Sequence, residues 1–155
     1  MRSIVLIAHN LRSCHNVGSL LRTAEGLGVA QVFLTGYTPY PMKPGDTRMP
    51  HIAAKLHKQI DKTALGAQDM LPWEQSDAIE PVLERLRTDG YRIVAVEQAP
   101  DSLSLPAFAP PEKLVLVVGR EVEGIEPEIL ALCDVTVEIP MFGRRSHSMS
   151  YRRRL

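Results

Sequence analysis

The sequence predicts an α/β protein with a mostly parallel sheet of about five or six strands and helices on both faces. Two observations carry this prediction. Strand-like apolar runs alternate with helical segments along the chain, and the clearest runs, 4–8 and 114–118, lack the polar alternation of a half-exposed strand. Continuous apolar strands are typical of parallel sheets, because helices cover both of their faces. A length of 155 residues suits one domain.

The first predicted unit covers residues 4–35 and has the order strand, helix, strand. Residues 4–8 predict a buried strand. Apolar side chains at helical spacing then predict a helix that ends at Gly28, because glycine adopts the left-handed conformation without a Cβ clash. Residues 31–34 predict a second strand, parallel to the first. The apolar face of the helix consists of Val17, Leu20, Leu21, Ala24 and Leu27.

Three residues of this helix are candidates for a functional site: Asn16, Gly18 and Arg22. Asn16 has the residue type and position of a helix N-cap, beyond the carboxyl end of a strand, where open α/β sheets bind ligands. Gly18 leaves room for another group to approach the backbone, and Arg22 lies beside the apolar face. Two interpretations stay open: a ligand site, or an ordinary N-cap asparagine with a solvated arginine.

The next segments predict a loop and a helix. Residues 36–45 are rich in glycine and proline and predict a surface loop, either a lid over a ligand or a plain connection. Residues 50–60 predict a helix that buries Ile52, Leu56 and Ile60. The opposite face carries lysines that either contact phosphates or form a solvated face, and these are Lys55, Lys58 and Lys62.

The second half of the chain continues the alternation of helices and strands. A loop at 63–69 leads to a short segment around Trp73, and residues 81–89 then predict a helix that Gly90 ends. The apolar face of this helix consists of Val82, Leu83 and Leu86. The remaining predicted elements are a strand at 91–97, a proline-rich loop at 100–111, a strand at 114–118, a helix that begins at 126–128 and a strand at 135–139.

Composition and charge limit the kinds of partner. The formal net charge is zero, so any RNA or DNA binding has to come from local basic patches. Cys14 and Cys133 predict free thiols, and the histidines lack metal-binding spacing, so we expect no metal site. Because the sequence has no apolar run long enough for a membrane span and no signal-peptide pattern, we expect a cytoplasmic protein.

Residues 119–124 begin and end with glycine and invite comparison with phosphate-binding loops. A P-loop would end in Gly-Lys-Ser/Thr and a dinucleotide fingerprint would have the pattern G-x-G-x-x-G; neither is present. Glu121 and Glu123 would instead repel a phosphate. The loop suits a ligand with hydroxyls or a positive charge, such as a ribose or a sulfonium. The alternative is a helix N-terminus with acidic residues, which the helix dipole favours.

Three segments together resemble the SpoU or TrmH-type RNA 2′-O-ribose methyltransferases of the SPOUT superfamily. Residues 16–24 (NVGSLLRTA) are similar to that family's motif N-x-G-x-x-x-R-[TS]-A, and residues 116–125 (LVVGREVEGI) to its motif G-x-E-x-x-G-[IL]. Residues 137–143 (VEIPMFG) are similar to its motif I-P-M-x-G, and residues 63–67 also fit a family segment. The resemblance extends over nearly the whole chain up to Arg145.

This resemblance implies a trefoil-knotted fold, a homodimer, and methyl transfer from S-adenosylmethionine to a ribose 2′-hydroxyl of RNA, tRNA in preference to rRNA, without a metal. Arg22 would lower the barrier to removing the hydroxyl proton or stabilise the developing alkoxide. Asn16 would orient Arg22 or the substrate, and Glu121 would fix the site across the dimer or hold Arg22. Backbone groups that would hold the cofactor are those of Val96, Gly119, Ile139 and Met141.

The chain departs from the family pattern after Gly143. Ser148 occupies the place of a family asparagine only if one gap is allowed, and Ser146 is the remaining cofactor-binding candidate. We expect a methyltransferase domain at 1–145 and a basic tail at 146–155, with five arginines between residues 144 and 154. A frameshift that replaced the family's final helix is one hypothesis for this tail. The functional alternatives are a methyltransferase, impaired in this form, and a non-catalytic RNA- or nucleotide-binding module derived from the family.

Overall fold

Seven parallel strands form one sheet in the computed structural model, which describes residues 2–140. Apolar runs build the central strands, and helices between successive strands make them parallel. The strands are β1 (Ser3–His9), β2 (Gln31–Thr35), β3 (Trp73–Ser76), β4 (Arg92–Val96), β5 (Leu103–Ser104), β6 (Lys113–Val118) and β7 (Val135–Glu138). The helices are α1 (Cys14–Gly26), α2 (Pro50–Ala64), α3 (Glu80–Thr88) and α4 (Pro127–Leu130).

The strands follow the order β3-β2-β1-β6-β4-β7-β5. The chain therefore builds one side of the sheet from β1 to β3, crosses to β4, and later inserts β6 between β1 and β4. Ala8 pairs with Val118, and Val117 pairs with Ala95. Consequently the carboxyl ends of β1, β6 and β4 lie side by side, where the direction of strand order changes. Open α/β sheets bind ligands at such an edge.

Helices cover both faces of the sheet, as the sequence predicts. In β1, Val5 and Ile7 face one side and pack with the apolar residues of α3 and α4. Leu6 and Ala8 face the other side and pack with those of α1 and α2. The predicted inward residues of α3 are all buried, and these are Val82, Leu83 and Leu86. None of the helices within residues 2–140 is long and apolar enough to cross a membrane.

The expectation of five or six strands is wrong at both edges of the sheet. β3 has the sequence WEQS, and β5 has two residues inside the proline-rich loop. Each strand pairs with a neighbour on one side only, β3 with β2 and β5 with β7. Edge strands do not need a continuous apolar run, since one backbone edge and much of their side-chain surface contact solvent. Their sequences consequently carry little strand signal.

Helix α2 is longer than predicted, and one of its inward positions differs. Ile60 is fully buried, but Ile52 is 42% exposed, and Ala53 is buried instead. Ile52 belongs to neither of the two large core clusters, whereas Ile60 packs in the cluster that contains the apolar residues of α1. The three lysines predicted to face outward are exposed, namely Lys55, Lys58 and Lys62.

Helix α2 packs directly against the backbone of α1 at Gly18. A Cβ at Gly18 would overlap Thr63 Oγ1 and the carbonyl oxygen of Ile60. Thr63 Oγ1 also donates to the carbonyl oxygen of His15 at 2.7 Å. Helix α2 therefore occupies the space that the sequence predicted beside Gly18, and a ligand cannot approach the backbone there.

We predict that Gly18→Ala lowers the free energy of unfolding by about 1–3 kcal/mol, because α2 has to move to admit the methyl group. Gly26→Ala in the same helix is the matched control. A Cβ there meets nothing within 4 Å, and replacing a helical glycine stabilises by about 0.5–1 kcal/mol. Urea unfolding followed by circular dichroism measures both. Equal effects of the two substitutions would show that the close contact at Gly18 contributes nothing.

Candidate active site

A short loop brings the start of α1 to the carboxyl edge of the sheet. Ser13 has extended backbone angles (φ −87°, ψ 120°), and its Oγ accepts the backbone N–H of Asn16 at 3.1 Å. Ser13 is therefore the N-cap of α1. The prediction that Asn16 caps the helix is wrong, because Asn16 already lies in the first turn, where it is exposed. The helix ends as predicted, with Gly28 at a positive φ of 73°.

Glu121, in the loop after β6, binds the start of α1. Its two carboxylate oxygens accept the backbone N–H of Arg12 at 3.0 and 3.1 Å, and Oε2 accepts that of Ser13 at 2.8 Å. Oε2 also accepts the side-chain amide of Asn16, Nδ2, at 3.3 Å. Two of the predicted site residues, Asn16 and Glu121, are thus in direct contact, although more than a hundred residues separate them in sequence.

These donors also decide the charge of Glu121. Partial burial raises the pKa of its carboxyl group, but hydrogen bonds from Arg12, Ser13 and Asn16 outweigh the burial, and the pKa lies below its usual value. Glu121 is therefore ionised at neutral pH. Glu123, two residues on, forms an ion pair with the exposed guanidinium of Arg12 at 3.1 Å.

The loop after β6 folds back on itself through its two glycines. Arg120 and Gly124 exchange backbone hydrogen bonds of 3.1 and 3.0 Å. A Cβ on Gly119 would lie 2.6 Å from Ile125 Cγ1. Gly124 has a φ of 74°, and a Cβ there would overlap the carboxylate of Glu97. Larger residues at either glycine would open the turn and move Glu121 away from α1.

Glu97 fixes this loop from the neighbouring strand and was not singled out in the sequence. Its Oε2 accepts the backbone N–H of Ile125 at 2.8 Å, and its Oε1 accepts that of Gln98 at 2.8 Å. The available signal was its position: an acidic residue directly after the apolar strand β4. Residues at that place in a parallel sheet point toward the ligand-binding edge.

Three of the predicted cofactor-binding residues lie along one edge of the sheet: Val96, Gly119 and Ile139. They follow or end β4, β6 and β7, which are neighbours in the sheet. An apolar cleft of about 370 Å³ runs across the face of β4, β6 and β7, from Arg2 at the amino end of the strands to Val96 and Ile139 at this edge. The remaining predicted cofactor-binding residues, Met141 and Ser146, lie outside the described part of the chain, as does the catalytic candidate Ser148.

Arg22 is exposed on α1. Within residues 2–140 it makes no hydrogen bond or ion pair, whereas Glu121 contacts Asn16. The resemblance implies two roles for Glu121. The first, holding Arg22, is not seen within residues 2–140. Contact across a dimer is the alternative.

Next to the site, the side chains of His9, Asn10, Thr35 and Glu126 form a buried or partly buried polar network. His9 Nδ1 lies 2.8 Å from Thr35 Oγ1, and His9 Nε2 lies 3.4 Å from Glu126 Oε2. Asn10 has a left-handed backbone (φ 59°); it donates to Glu126 Oε2 at 2.7 Å and accepts the backbone N–H of Tyr37 at 3.0 Å. Burial lowers the pKa of His9, and the nearby charge of Glu126 only partly opposes it.

The sequence is similar to those of known RNA methyltransferases. The family model of the SpoU rRNA Methylase family matches residues 3–149. The tRNA (guanosine(18)-2′-O)-methyltransferase of Aquifex aeolicus is 26% identical over 142 residues, which are 92% of this chain and 60% of that protein. The 23S rRNA (guanosine-2′-O-)-methyltransferase of Neisseria meningitidis serogroup B is 29% identical over 140 residues, 90% of this chain and 50% of that protein.

Solved structures share the fold. The AdoMet-bound rRNA methyltransferase from Sinorhizobium meliloti superimposes with a TM-score of 0.72 at 20% identity, over 98% of this chain and 56% of that one. At this level of identity the likeness concerns the fold. The chain spans 50 to 60% of the length of the two curated relatives described above.

We predict that Glu121→Gln lowers the free energy of unfolding by about 1 kcal/mol, because hydrogen bonds to a charged acceptor are stronger than those to a neutral one. The backbone amides of Arg12 and Ser13 should exchange with solvent faster. Glu123→Gln is the matched control, since an exposed ion pair contributes about 0–1 kcal/mol. Hydrogen exchange by NMR and urea unfolding measure both. Unchanged exchange at these two amides would contradict the role of Glu121.

We predict that the protein loses stability as the pH falls below about 6.5, the ordinary pKa of histidine. The folded state holds His9 with a lowered pKa, so the unfolded chain binds the proton more readily. The stability that neutral His9 contributes is present above this pH and declines as the pH falls toward the folded-state value. Thermal melts from pH 8 to pH 5 should show a smaller decline for His9→Asn than for the exposed-site control His51→Gln. Identical pH profiles for the two variants would refute the assignment.

Proposed function

This chain belongs to the SpoU rRNA Methylase family, and on that premise we propose that it transfers a methyl group from S-adenosylmethionine to a ribose 2′-hydroxyl of RNA. The observation that carries the proposal is the contact between Asn16 and Glu121. It joins the start of α1 to the loop after β6 beside the carboxyl ends of β4, β6 and β7. Two of the three segments that resemble the family's motifs thus form one site.

The residues at this edge fit the proposed cofactor by their chemistry. Glu97, Glu121 and Glu123 lie on or against the loop after β6, and carboxylates favour a cationic sulfonium over a phosphate. The apolar cleft beside Val96 and Ile139 suits a flat adenine ring. When bound, S-adenosylmethionine supplies an already activated methyl group, so the protein chiefly has to position and activate the hydroxyl.

We propose that backbone groups of Val96, Gly119 and Ile139 hold the adenosyl group, together with Met141 and Ser146. Glu121 keeps the Asn16 amide in place through Nδ2, which leaves the Asn16 Oδ1 to accept a ribose hydroxyl. The guanidinium of Arg22 stabilises the oxygen as it loses its proton, because a positive charge lowers the energy of a developing alkoxide. Ser148 stays a weaker candidate for the place of the family asparagine.

We propose tRNA as the preferred substrate and a homodimer as the active form. The chain matches 60% of the length of a relative from Aquifex aeolicus, and that relative is named a tRNA methyltransferase. In the proposed homodimer, the Arg22 of a second copy completes the site in which Glu121 contacts Asn16. The proposal further includes a trefoil knot, a cytoplasmic location, a methyltransferase domain at 1–145 and a basic tail at 146–155.

Methyl transfer from labelled S-adenosylmethionine to bulk tRNA and to rRNA tests the function. We predict that Arg22→Ala lowers the rate by about two orders of magnitude or more, the usual effect of removing one group that stabilises an oxyanion. The free energy of unfolding of this variant should differ from that of the wild type by less than about 0.5 kcal/mol, since the Arg22 side chain is exposed and makes no hydrogen bond or ion pair within residues 2–140.

Arg92→Ala, an exposed arginine at the amino end of β4, serves as a control for loss of a surface charge. Calorimetry with S-adenosylmethionine should give the same binding for Arg22→Ala as for the wild type. Wild-type protein that binds NAD tightly and neither binds nor uses S-adenosylmethionine would refute the proposed function. An unchanged methylation rate for Arg22→Ala at saturating RNA would refute only the role of Arg22.

A further inference from the structure

A second cleft opens beside the candidate active site, at the carboxyl ends of β2 and β3. Its volume is about 490 Å³, within the range of small-ligand pockets. Arg12 lines it and connects it to the active site, because Glu121 accepts the backbone N–H of Arg12. The other lining residues that matter here are Tyr37, Tyr40, Arg48, Gln75 and Asp77.

The wall of this cleft is a fixed structure. Arg48 donates to the backbone oxygens of Tyr40 and Pro41, each at 2.9 Å, and to the carboxylate of Asp46 at 2.7 Å. Its guanidinium also lies 3.5 Å from the centroid of the Tyr40 ring. On the other side, Thr38 Oγ1 accepts the backbone N–H of Leu11 at 3.0 Å. These contacts favour a preformed wall over the moving lid that the loop sequence also allowed.

Two exposed side chains at the mouth of the cleft have the chemistry of a nucleotide site. Tyr37 is 53% exposed and offers an aromatic face, whereas Arg48 covers the ring of Tyr40. The Arg12 side chain is 63% exposed. An exposed aromatic ring beside an arginine is the usual arrangement for stacking an unpaired base and contacting its phosphate.

The side of the cleft next to β3 presents hydrogen-bond acceptors. Gln75 Nε2 donates to Asp77 Oδ1 at 2.9 Å. This bond uses a donor of the amide and leaves the Gln75 oxygen and the second carboxylate oxygen of Asp77 as acceptors. A base with an exocyclic amino group can donate to such acceptors, as adenine, cytosine and guanine can. Uracil has no amino group, and its one Watson–Crick donor, N3–H, lies between two carbonyl oxygens that these acceptors would repel.

We propose that this cleft binds an unpaired RNA base that carries an exocyclic amino group, stacked on Tyr37 and hydrogen-bonded to Asp77. The inference rests on the proposed function, since it assigns the cleft to the RNA whose ribose reaches Asn16 and Arg22. Arg12, whose guanidinium is paired with Glu123 on the side of the active site, contacts the phosphate at the mouth of the cleft, away from that carboxylate. The zero net charge of the chain gives such local contacts a large share of RNA binding.

Fluorescence anisotropy of short labelled oligocytidylate and oligouridylate tests the cleft without methylation. We expect wild-type protein to prefer oligocytidylate, and Tyr37→Ala to weaken its binding about tenfold or more, as loss of one stacking partner does. Tyr37→Phe, which keeps the ring, should bind like the wild type. Asp77→Asn should reduce the preference for cytidine over uridine. Met70→Ala, an exposed apolar residue outside the cleft, is the matched control.

The outcomes separate this inference from the proposed function. If wild-type protein methylates tRNA and Tyr37→Ala binds oligocytidylate as tightly as wild type does, the cleft assignment is wrong and the function stands. Equal affinity of the wild type for the two oligonucleotides would remove the role of Asp77 in choosing the base. Wild-type protein that binds neither oligonucleotide nor tRNA would overturn both proposals. Circular dichroism confirms that each variant is folded before binding is measured.

Discussion

The pairing of β6 with both β1 and β4 is the constraint on which the site depends. β6 hydrogen-bonds to β1 along Ser3–Ala8 and to β4 along Arg92–Ala95. Parallel pairing gives neighbouring strands the same direction, so their carboxyl ends meet at one edge. The loops after these three strands therefore converge, although they lie far apart in sequence. Without the insertion of β6, Glu121 would have no geometric relation to α1.

Close backbone contacts then turn this convergence into a defined geometry. The turn after β6 is closed by the Arg120–Gly124 backbone bonds and packed on Ile125, which leaves no room for a Cβ at Gly119. Glu97 holds the same turn from β4. On the far side of α1, Gly18 lets α2 pack directly on the helix backbone. The start of α1 is thus held between two rigid neighbours, and a preorganised site requires such support.

Electrostatics divide the carboxyl edge into two regions. Glu97, Glu121 and Glu123 make the part near β4 and β6 acidic, which suits a cation and excludes phosphate. Arg12 and Tyr37 lie toward β2, where a base and its phosphate could be accommodated. The boundary is the Arg12–Glu123 pair. A neutral protein can in this way combine a site for a positively charged ligand with a neighbouring surface for an anionic polymer.

The sequence alone determined the fold class, the parallel first unit, the termination of α1 just before Gly28 and the inward face of α3. These features are local: periodicity of 3.6 residues, continuous apolar runs and glycine conformation all act within a few residues. The acidic character of the loop after β6 was likewise visible from Glu121 and Glu123.

The tertiary structure decided the contacts between residues that lie far apart in sequence. The edge strands β3 and β5 exist because a neighbouring strand pairs with them. The partner of Gly18 is α2, and the partner of Glu121 is the start of α1, 105 residues from it at Asn16. Such contacts follow from strand order, and strand order depends on the free energy of the whole packed sheet, which no single segment of the chain encodes.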